Sequence, residues 1–154
     1  MNKKIEDIDK LFRLKKFEEV ISQSKKLIQR GNDAPIIYNL RGISFENIGK
    51  NHKAIKNFED AIKENPKEVS YYSNIARILI KQGKISKAET YLNTALEIKS
   101  DHIFSLFEFG KLKRNQKKFD KALEYFKKVY DINPKFPEAL FNIGKAYIEI
   151  YQDT

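Results

Sequence analysis

Apolar side chains recur at steps of three and four residues along most of this chain, with charged and polar residues between them. The stretches "IYNLRGISFENIG" (37–49) and "HKAIKNFEDAIKENP" (52–66) both show this spacing. The three-to-four-residue step is the period of an amphipathic helix. No stretch alternates with the two-residue period of a strand. The pattern therefore predicts an all-α fold.

The helical pattern repeats at one constant interval without an insertion. Columns of small and large residues at this interval carry the repeat. The columns are Val20, Ala54, Ala88 and Ala122; Gly42, Ala76, Gly110 and Gly144; Ala61, Ala95 and Val129; and Phe58, Leu92 and Phe126. A fixed period of about 34 residues is typical of stacked supersecondary units. One array over 1–154 is therefore predicted, made of repeat 1 (1–34), repeat 2 (35–68), repeat 3 (69–102), repeat 4 (103–136) and a half repeat (137–154).

Each repeat is predicted to be a helix, a turn, a second helix and a loop. Glycine followed by lysine separates the two helices in repeats 2 and 3, at Gly49 and Gly83. Proline closes repeats 2 and 4, at Pro66 and Pro134, because it cannot continue a helix interior. The small residues of the columns let the two helices of a hairpin approach each other closely.

These features resemble the tetratricopeptide repeat family. The family pattern combines an aromatic residue, Leu-Gly, Tyr, Ala, Phe, Ala and Pro. "YNLRGISFENIGKNHKAIKNFEDAIKENP" and "KFDKALEYFKKVYDINP" match its Ala, Phe and Pro positions, and the first also matches its Gly. The resemblance covers essentially the whole chain and implies an α-solenoid of antiparallel hairpins, wound as a right-handed superhelix of about nine helices. Repeat 1 departs from the pattern with Ile8 and Ser24. Repeat 4 has Lys113 and Lys117 in place of Tyr and Gly, so we expect a looser turn there.

Composition and charge limit the functional classes. The chain has 154 residues, of which 33% are charged, a net charge of +9 and no cysteine. Its mean hydropathy is −0.61. No apolar run approaches the roughly 18 residues of a membrane span, and the first residues do not form a secretory signal. We expect a basic, cytoplasmic protein without disulfides.

The sequence contains no recognisable catalytic constellation. His52 and His102 are the only histidines, and no carboxylate cluster accompanies either at metal-ligand spacing. The glycines are isolated column residues and form no phosphate-cradling loop. We therefore predict a protein-binding scaffold, with no catalytic residue, metal or cofactor.

The family resemblance implies a binding groove on the concave face, which the first helices line. The predicted groove residues lie at or near the position that follows the small column. They are Asn39, Asn74, Arg77, Lys81, Phe107, Lys111, Arg114, Asn115, Phe141, Asn142 and Lys145. Amides can pair with a peptide backbone, and repeated cations favour acidic side chains. The prediction is an extended, acidic peptide partner; the alternative is that these are ordinary solvated positions of a lysine-rich protein.

Three further readings concern the partner. Family members that bind chaperone C-termini use Lys and Asn on one first helix, Asn on the next and Lys plus Arg on a third. Here the corresponding helices offer Asn39 with Ile43 and Phe104 with Glu108, so we expect no such clamp. Eight basic and two acidic residues between 111 and 128 permit salt-sensitive nucleic-acid binding, which is the less favoured reading. The alternative hypothesis is that the chain is the N-terminal recognition arm of a larger bacterial transferase or oxygenase.

The half repeat ends in an apolar helix. Its Gly144 stands in the small column although no second helix follows within this sequence. We predict an exposed interface patch on this helix. It consists of Leu140, Ile143, Tyr147, Ile150 and Tyr151. Such a patch usually marks an interface, which a second copy of the chain or sequence absent from it would cover.

Overall fold

The computed structural model describes residues 3–32 and 34–152. Over these ranges it has nine α-helices and no strand. The helices are α1 (Lys3–Arg13), α2 (Phe17–Gln29), α3 (Pro35–Asn47), α4 (Asn51–Glu64), α5 (Val69–Lys81), α6 (Ile85–Ile98), α7 (Ile103–Asn115), α8 (Phe119–Ile132) and α9 (Pro137–Gln152). The all-α prediction is confirmed. Each predicted repeat contains one pair of helices, and α9 lies in the half repeat.

The helices form two compact halves, Met1–Ile78 and Leu79–Thr154, and α5 contributes residues to both. In the N-terminal half α1 packs against α2, α2 against α3 and α3 against α4. Ile8, Val20 and Ile37 are fully buried there. In the C-terminal half α7 packs against α8 and α8 against α9, around a core that includes Phe126 and Val129. Continuity of one array over 1–154 stays a prediction.

The first helix of every complete repeat ends in the same kind of turn. Lys15, Gly49, Gly83 and Lys117 adopt positive φ, and they occupy the same position in repeats 1 to 4. The residue after each donates its N–H to the carbonyl five residues earlier, at 2.8–3.0 Å. This is the Schellman arrangement, in which a left-handed residue ends the helix. Repeat 4 forms this turn with Lys117 at φ 56°, so the expectation of a looser turn there was wrong.

Close helix packing at the glycine column is confirmed at two positions. A Cβ on Gly42 would lie 2.7–3.0 Å from three ring atoms of Phe58, and one on Gly110 would lie within 3 Å of three ring atoms of Phe126. Both phenylalanines are fully buried. The glycines are therefore needed because the aromatic ring of the second helix occupies the space of a side chain.

No helix in the described part of the chain is long and apolar enough to cross a membrane.

Candidate functional site

The predicted groove residues fall into one set in each half of the molecule. In the N-terminal half, Arg77 forms a two-point ion pair with Glu46: Nε donates to Oε1 at 3.1 Å and Nη2 donates to Oε2 at 2.6 Å. The Asn74 amide donates to Asn39 Oδ1 at 3.4 Å. Both contacts join neighbouring first helices, α3 and α5. Arg77 is thereby held in a fixed orientation.

The C-terminal half contains a more extended set on α7 and α9. Lys111 Nζ lies 2.7 Å from Glu108 Oε1 and 5.2 Å from the centroid of the Phe107 ring. Arg114 Nη1 donates to Asn142 Oδ1 at 2.8 Å, and Asn142 Nδ2 donates to the Glu138 carbonyl at 2.8 Å. The Arg114–Asn142 hydrogen bond joins α7 to α9, and the Lys111 and Arg114 side chains are each partly exposed.

Two residues predicted as open groove surface are core residues. Phe107 is 9% exposed, with its ring centroid 5.7 Å from that of Phe126 and 5.1 Å from that of Phe136. Asn142 is 6% exposed, and both ends of its amide are engaged inside the fold. Aromatic packing and helix pairing already engage these two side chains, and their role as peptide contacts stays a prediction.

The remaining groove residues of the C-terminal half lie at the surface. Phe141 is 69% exposed, and Lys145, one turn further along α9, is exposed on the same side of the helix. Asn115 is exposed at the end of α7 and Lys81 is exposed at the end of α5. Phe141 is thus the aromatic side chain that this set offers to a partner.

Sequence reasoning missed the two acids that orient the groove cations. Glu108 is 5% exposed and contacts Lys111 three residues later, a helical spacing that was visible in the sequence. Glu46 contacts Arg77 from the preceding repeat, and no local pattern in the sequence indicates this pair. The predicted ladder of cations is therefore partly neutralised.

Basic residues between 111 and 128 are largely engaged within the protein. Lys113 pairs with Glu89 and lies over the Phe109 ring, while Lys127 and Lys128 lie over the rings of tyrosines. With Lys111 and Arg114, this accounts for five of the eight cations of the stretch. These cations contact several different partners within the protein, so they do not form one continuous phosphate-binding surface.

The predicted patch on α9 divides between two faces of the helix. Ile143 and Ile150 are partly buried and pack against the core of the C-terminal half, so they are less exposed than the other three residues of the predicted patch. Leu140, Tyr147 and Tyr151 are 58%, 50% and 84% exposed. The helix thus has two apolar faces, an inner face and an outer face. The spacing of apolar residues in the sequence did not show which residue belongs to which face.

The outer face of α9 surrounds Gly144. Leu140, Gly144, Tyr147, Ile148 and Tyr151 follow the spacing i, i+4, i+7, i+8 and i+11. No atom lies within 4 Å of a Cβ placed on Gly144, in contrast to Gly42 and Gly110. The space that an aromatic ring fills in repeats 2 and 4 is open at this position. We call this surface the outer α9 face.

The paired helices, their common turn and the glycine–phenylalanine contacts define a helical-repeat protein. The chain belongs to the tetratricopeptide repeat family, whose profiles match residues 36–68 and 69–135. The resemblance inferred from the columns is confirmed.

The chain is similar to curated proteins and to solved structures. BBSome complex member BBS4 of Bos taurus is 30% identical over 107 residues, covering 68% of this chain and 20% of the relative. The structure of MamA superimposes with a TM-score of 0.77 at 21% identity, over 91% of this chain and 82% of MamA. The first repeat domain of Spaghetti (RPAP3), bound to the HSP90 peptide SRMEEVD, gives a TM-score of 0.70 at 18% identity, over 76% and 93% of the two chains. The chain spans about a fifth to a quarter of the length of the curated relatives it matches.

Proposed function

We propose that the chain is a protein-interaction scaffold that binds an extended peptide on the surface formed by α7 and α9. The observation that carries this proposal is the Arg114–Asn142 hydrogen bond, which joins the two helices. Phe141 and Lys145 are exposed on α9 beside this contact. An exposed aromatic ring next to fixed cations suits a peptide with an apolar anchor and acidic neighbours.

The acidic preference rests on the balance of charge at this surface. Lys111, Arg114 and Lys145 carry three positive charges against the two negative charges of Glu108 and Glu138, which leaves a net +1. Buried Glu108 holds Lys111 in place and so reduces the conformational entropy that Lys111 loses on binding. In the N-terminal half the Arg77–Glu46 pair has similar chemistry. The preference is therefore for a moderately acidic segment.

Support also comes from a structure of the same fold. The similar repeat domain of Spaghetti (RPAP3) is bound to SRMEEVD, a peptide with two glutamates and one aspartate. The fold thus accommodates a short acidic peptide in that protein. In the present chain the expected clamp residues are absent from the corresponding helices, so we propose recognition along the peptide and not of its terminal carboxylate alone.

Phe141→Ala combined with Lys145→Glu should weaken binding of a labelled acidic heptapeptide, such as SRMEEVD, by about tenfold or more, equivalent to about 1.4 kcal/mol. Both side chains are exposed, so the variant should keep the stability of the parent. Fluorescence anisotropy at fixed ionic strength measures the affinity. The analogue SRMQQVN, which has no acidic side chain, should bind the parent more weakly.

Lys121→Glu on α8 is the matched control, since it makes the same charge change at an exposed position outside the surface. It should leave binding almost unchanged. Equal losses in the two variants would show that only net charge matters and would contradict the proposed site.

A second binding surface is favoured by the open space at Gly144. We propose that the outer α9 face pairs with the same face of a second copy about a twofold axis. A fully exposed aromatic side chain has an accessible surface of roughly 150–250 Å². Leu140, Tyr147, Ile148 and Tyr151 together then expose on the order of 500 Å² per copy. Two copies would bury about 1,000 Å², about the least that a specific interface needs.

Leu140→Glu with Ile148→Glu should convert this dimer to a monomer while leaving the melting temperature of the monomer nearly unchanged. Sedimentation equilibrium from about 5 to 500 μM measures the association, which should give a Kd near the micromolar range expected for a small interface. The control is Leu14→Glu, which charges a residue of similar exposure, 59%, outside the face. A parent protein that stays monomeric over the whole range would exclude the dimer.

A further inference from the structure

Arg41 occupies a position at which later repeats place core residues. The residues at the same position of repeat 3, repeat 4 and the half repeat are Ile75, Phe109 and Ile143. Ile75 is fully buried, Phe109 is 2% exposed and Ile143 packs against the core. In repeat 1 the position holds Asp7. Packing of the fold therefore does not require an arginine at position 41.

The residue opposite Arg41 changes with it. Repeat 4 stacks Phe109 on Tyr125 with centroids 5.0 Å apart and the rings nearly parallel. At the positions of this pair, repeat 2 has Arg41 and Asn57. Between α3 and α4 it has a cavity of about 380 Å³. The cavity is lined by Arg41, Phe45, His52, Lys53, Lys56, Asn57 and Asp60.

Two cations of the cavity share one aromatic ring. The Arg41 guanidinium carbon lies 5.3 Å from the centroid of the Phe45 ring, and Lys53 Nζ lies 5.8 Å from it. Phe45 is 5% exposed, so the ring is a fixed floor. The two positive charges at this ring repel each other, and an anion bound between them would reduce that repulsion.

Arg41 has hydrogen-bonding capacity that the fold does not use. Its Nη1 donates one long bond, 3.4 Å, to Asn57 Oδ1, and its Nε is buried without a hydrogen-bond partner. Within residues 3–32 and 34–152, no carboxylate forms an ion pair with Arg41 or Lys53. Burial lowers the pKa of Arg41, and the nearby Tyr38 and Asp60 only partly oppose this effect. The cation is thus partly desolvated without a counter-ion of its own.

Asp60 is the one acid in the cavity lining, and two lysines already bind it. Lys56 and Lys63 each donate to Asp60 Oδ1 at 2.9 Å. Burial would raise the pKa of Asp60, but the hydrogen bonds from Lys63 and Lys56 outweigh burial and lower it. Asp60 therefore stays ionised, and Arg41, Lys53 and Lys56 against Asp60 leave a net charge of +2.

We propose that this cavity binds the phosphoryl group of a phosphate monoester, with the Arg41 guanidinium and the Lys53 ammonium as its donors. A phosphate monoester carries a charge of about −1.5 to −2 near neutral pH and three acceptor oxygens, which matches the net charge of the cavity. A carboxylate carries one charge and leaves a cation uncompensated. The first turn of α4 has no acidic residue, so the positive end of that helix is also compatible with an anion. This site is separate from the α7–α9 surface.

The test is a titration of the full chain with inorganic phosphate and with O-phosphoserine at pH 7.5 and constant ionic strength, followed by ¹H–¹⁵N NMR. Saturable shifts are expected for the Arg41 Nε–H and for the backbone amides of Lys53 and Asn57. Acetate at the same concentration should produce shifts at least tenfold smaller. Shifts that acetate reproduces, or that do not saturate, would overturn the proposal.

Arg41→Met should abolish the saturable shifts at Lys53 and Asn57, and Lys53→Gln should weaken binding at least tenfold. Because Arg41 is a desolvated cation without a counter-ion, Arg41→Met should melt at the same temperature as the parent or higher. Lys25→Gln, an exposed lysine of α2, removes the same charge and should bind like the parent. A fall in melting temperature in Arg41→Met, with phosphate binding retained, would show that Arg41 is structural.

A heptapeptide with one phosphoserine distinguishes the source of the phosphoryl group. Tighter binding of this peptide than of O-phosphoserine would show that the site reads a phosphorylated chain. Equal binding would show that a small ester fills the site. Both outcomes support phosphoryl recognition, whereas binding of neither ligand contradicts it.

Discussion

Gly110→Ala should lower the free energy of unfolding by about 2 kcal/mol through overpacking, even though alanine favours helix more than glycine does. The added Cβ would lie within 3 Å of three ring atoms of Phe126. Phe126 is fully buried and its ring packs on Phe107, so it cannot move away without disturbing the core. Overpacking of this kind costs about 1–3 kcal/mol and exceeds the gain in helix propensity of at most about 1 kcal/mol. Urea unfolding at constant temperature measures the difference.

The same substitution at Gly144 is the matched control. No atom lies within 4 Å of the new methyl group there, so only the helix propensity changes. Gly144→Ala should therefore raise the free energy of unfolding by about 0.5–1 kcal/mol. Stabilisation of similar size by both substitutions would show that the Gly110–Phe126 contact is not as close as the structure has it.

The sequence of repeat 3 suggests a compensating change. It carries Ala76 and Leu92 at the positions that hold Gly110 and Phe126 in repeat 4. Gly110→Ala combined with Phe126→Leu should lose less stability than the sum of the two single variants, by about 0.5–3 kcal/mol. Strict additivity would mean that the two residues do not share the same space.

Phe58→Ala should produce the largest loss of stability, about 3–5 kcal/mol, because it removes a fully buried ring and leaves a cavity between α3 and α4. The ring also fills the space beside Gly42, which has no side chain of its own to replace it. Thermal unfolding followed by circular dichroism, together with urea unfolding, measures the loss.

Two variants separate the cavity from other effects at this position. Phe58→Leu introduces the residue type that repeat 3 carries as Leu92, and it should cost about half as much or less. Phe104→Ala removes a ring that is 58% exposed and should cost about 1 kcal/mol or less. A loss at Phe104 equal to that at Phe58 would contradict the assignment of Phe58 to the core.

The proposed peptide surface differs from an open row of cations. Glu46 and Glu108 hold Arg77 and Lys111 in defined orientations, and both acids have less exposed side chains than the cations they bind. Such pairs contribute little net free energy to the fold, because desolvation offsets their attraction. Their larger effect is to place the cations before a partner arrives. Binding then depends more on position than on total charge.

Most of the fold could be predicted from the sequence because its causes are local. Spacing at three and four residues indicates the helices, and the columns of small and large residues indicate the repeats. The turn residues at Gly49 and Gly83 adopt the left-handed conformation expected of glycine. Lys117 adopts it too, because the helix-ending hydrogen bonds of the turn are the same in repeat 4. The lysine at this position therefore led to the prediction of a looser turn than the one that forms.

The candidate sites were only partly predictable, because they depend on which side chains meet across helices. The sequence by itself determined the helices, the repeats, the family and the columns of small residues at which helices approach closely. The tertiary structure alone decided that Glu46 holds Arg77, that Phe107 and Asn142 are buried, which face of α9 stays open and that Arg41 lines a cavity. The reason is physical: helix periodicity and turn chemistry act between near neighbours, whereas burial and pairing of charges are set by packing between helices.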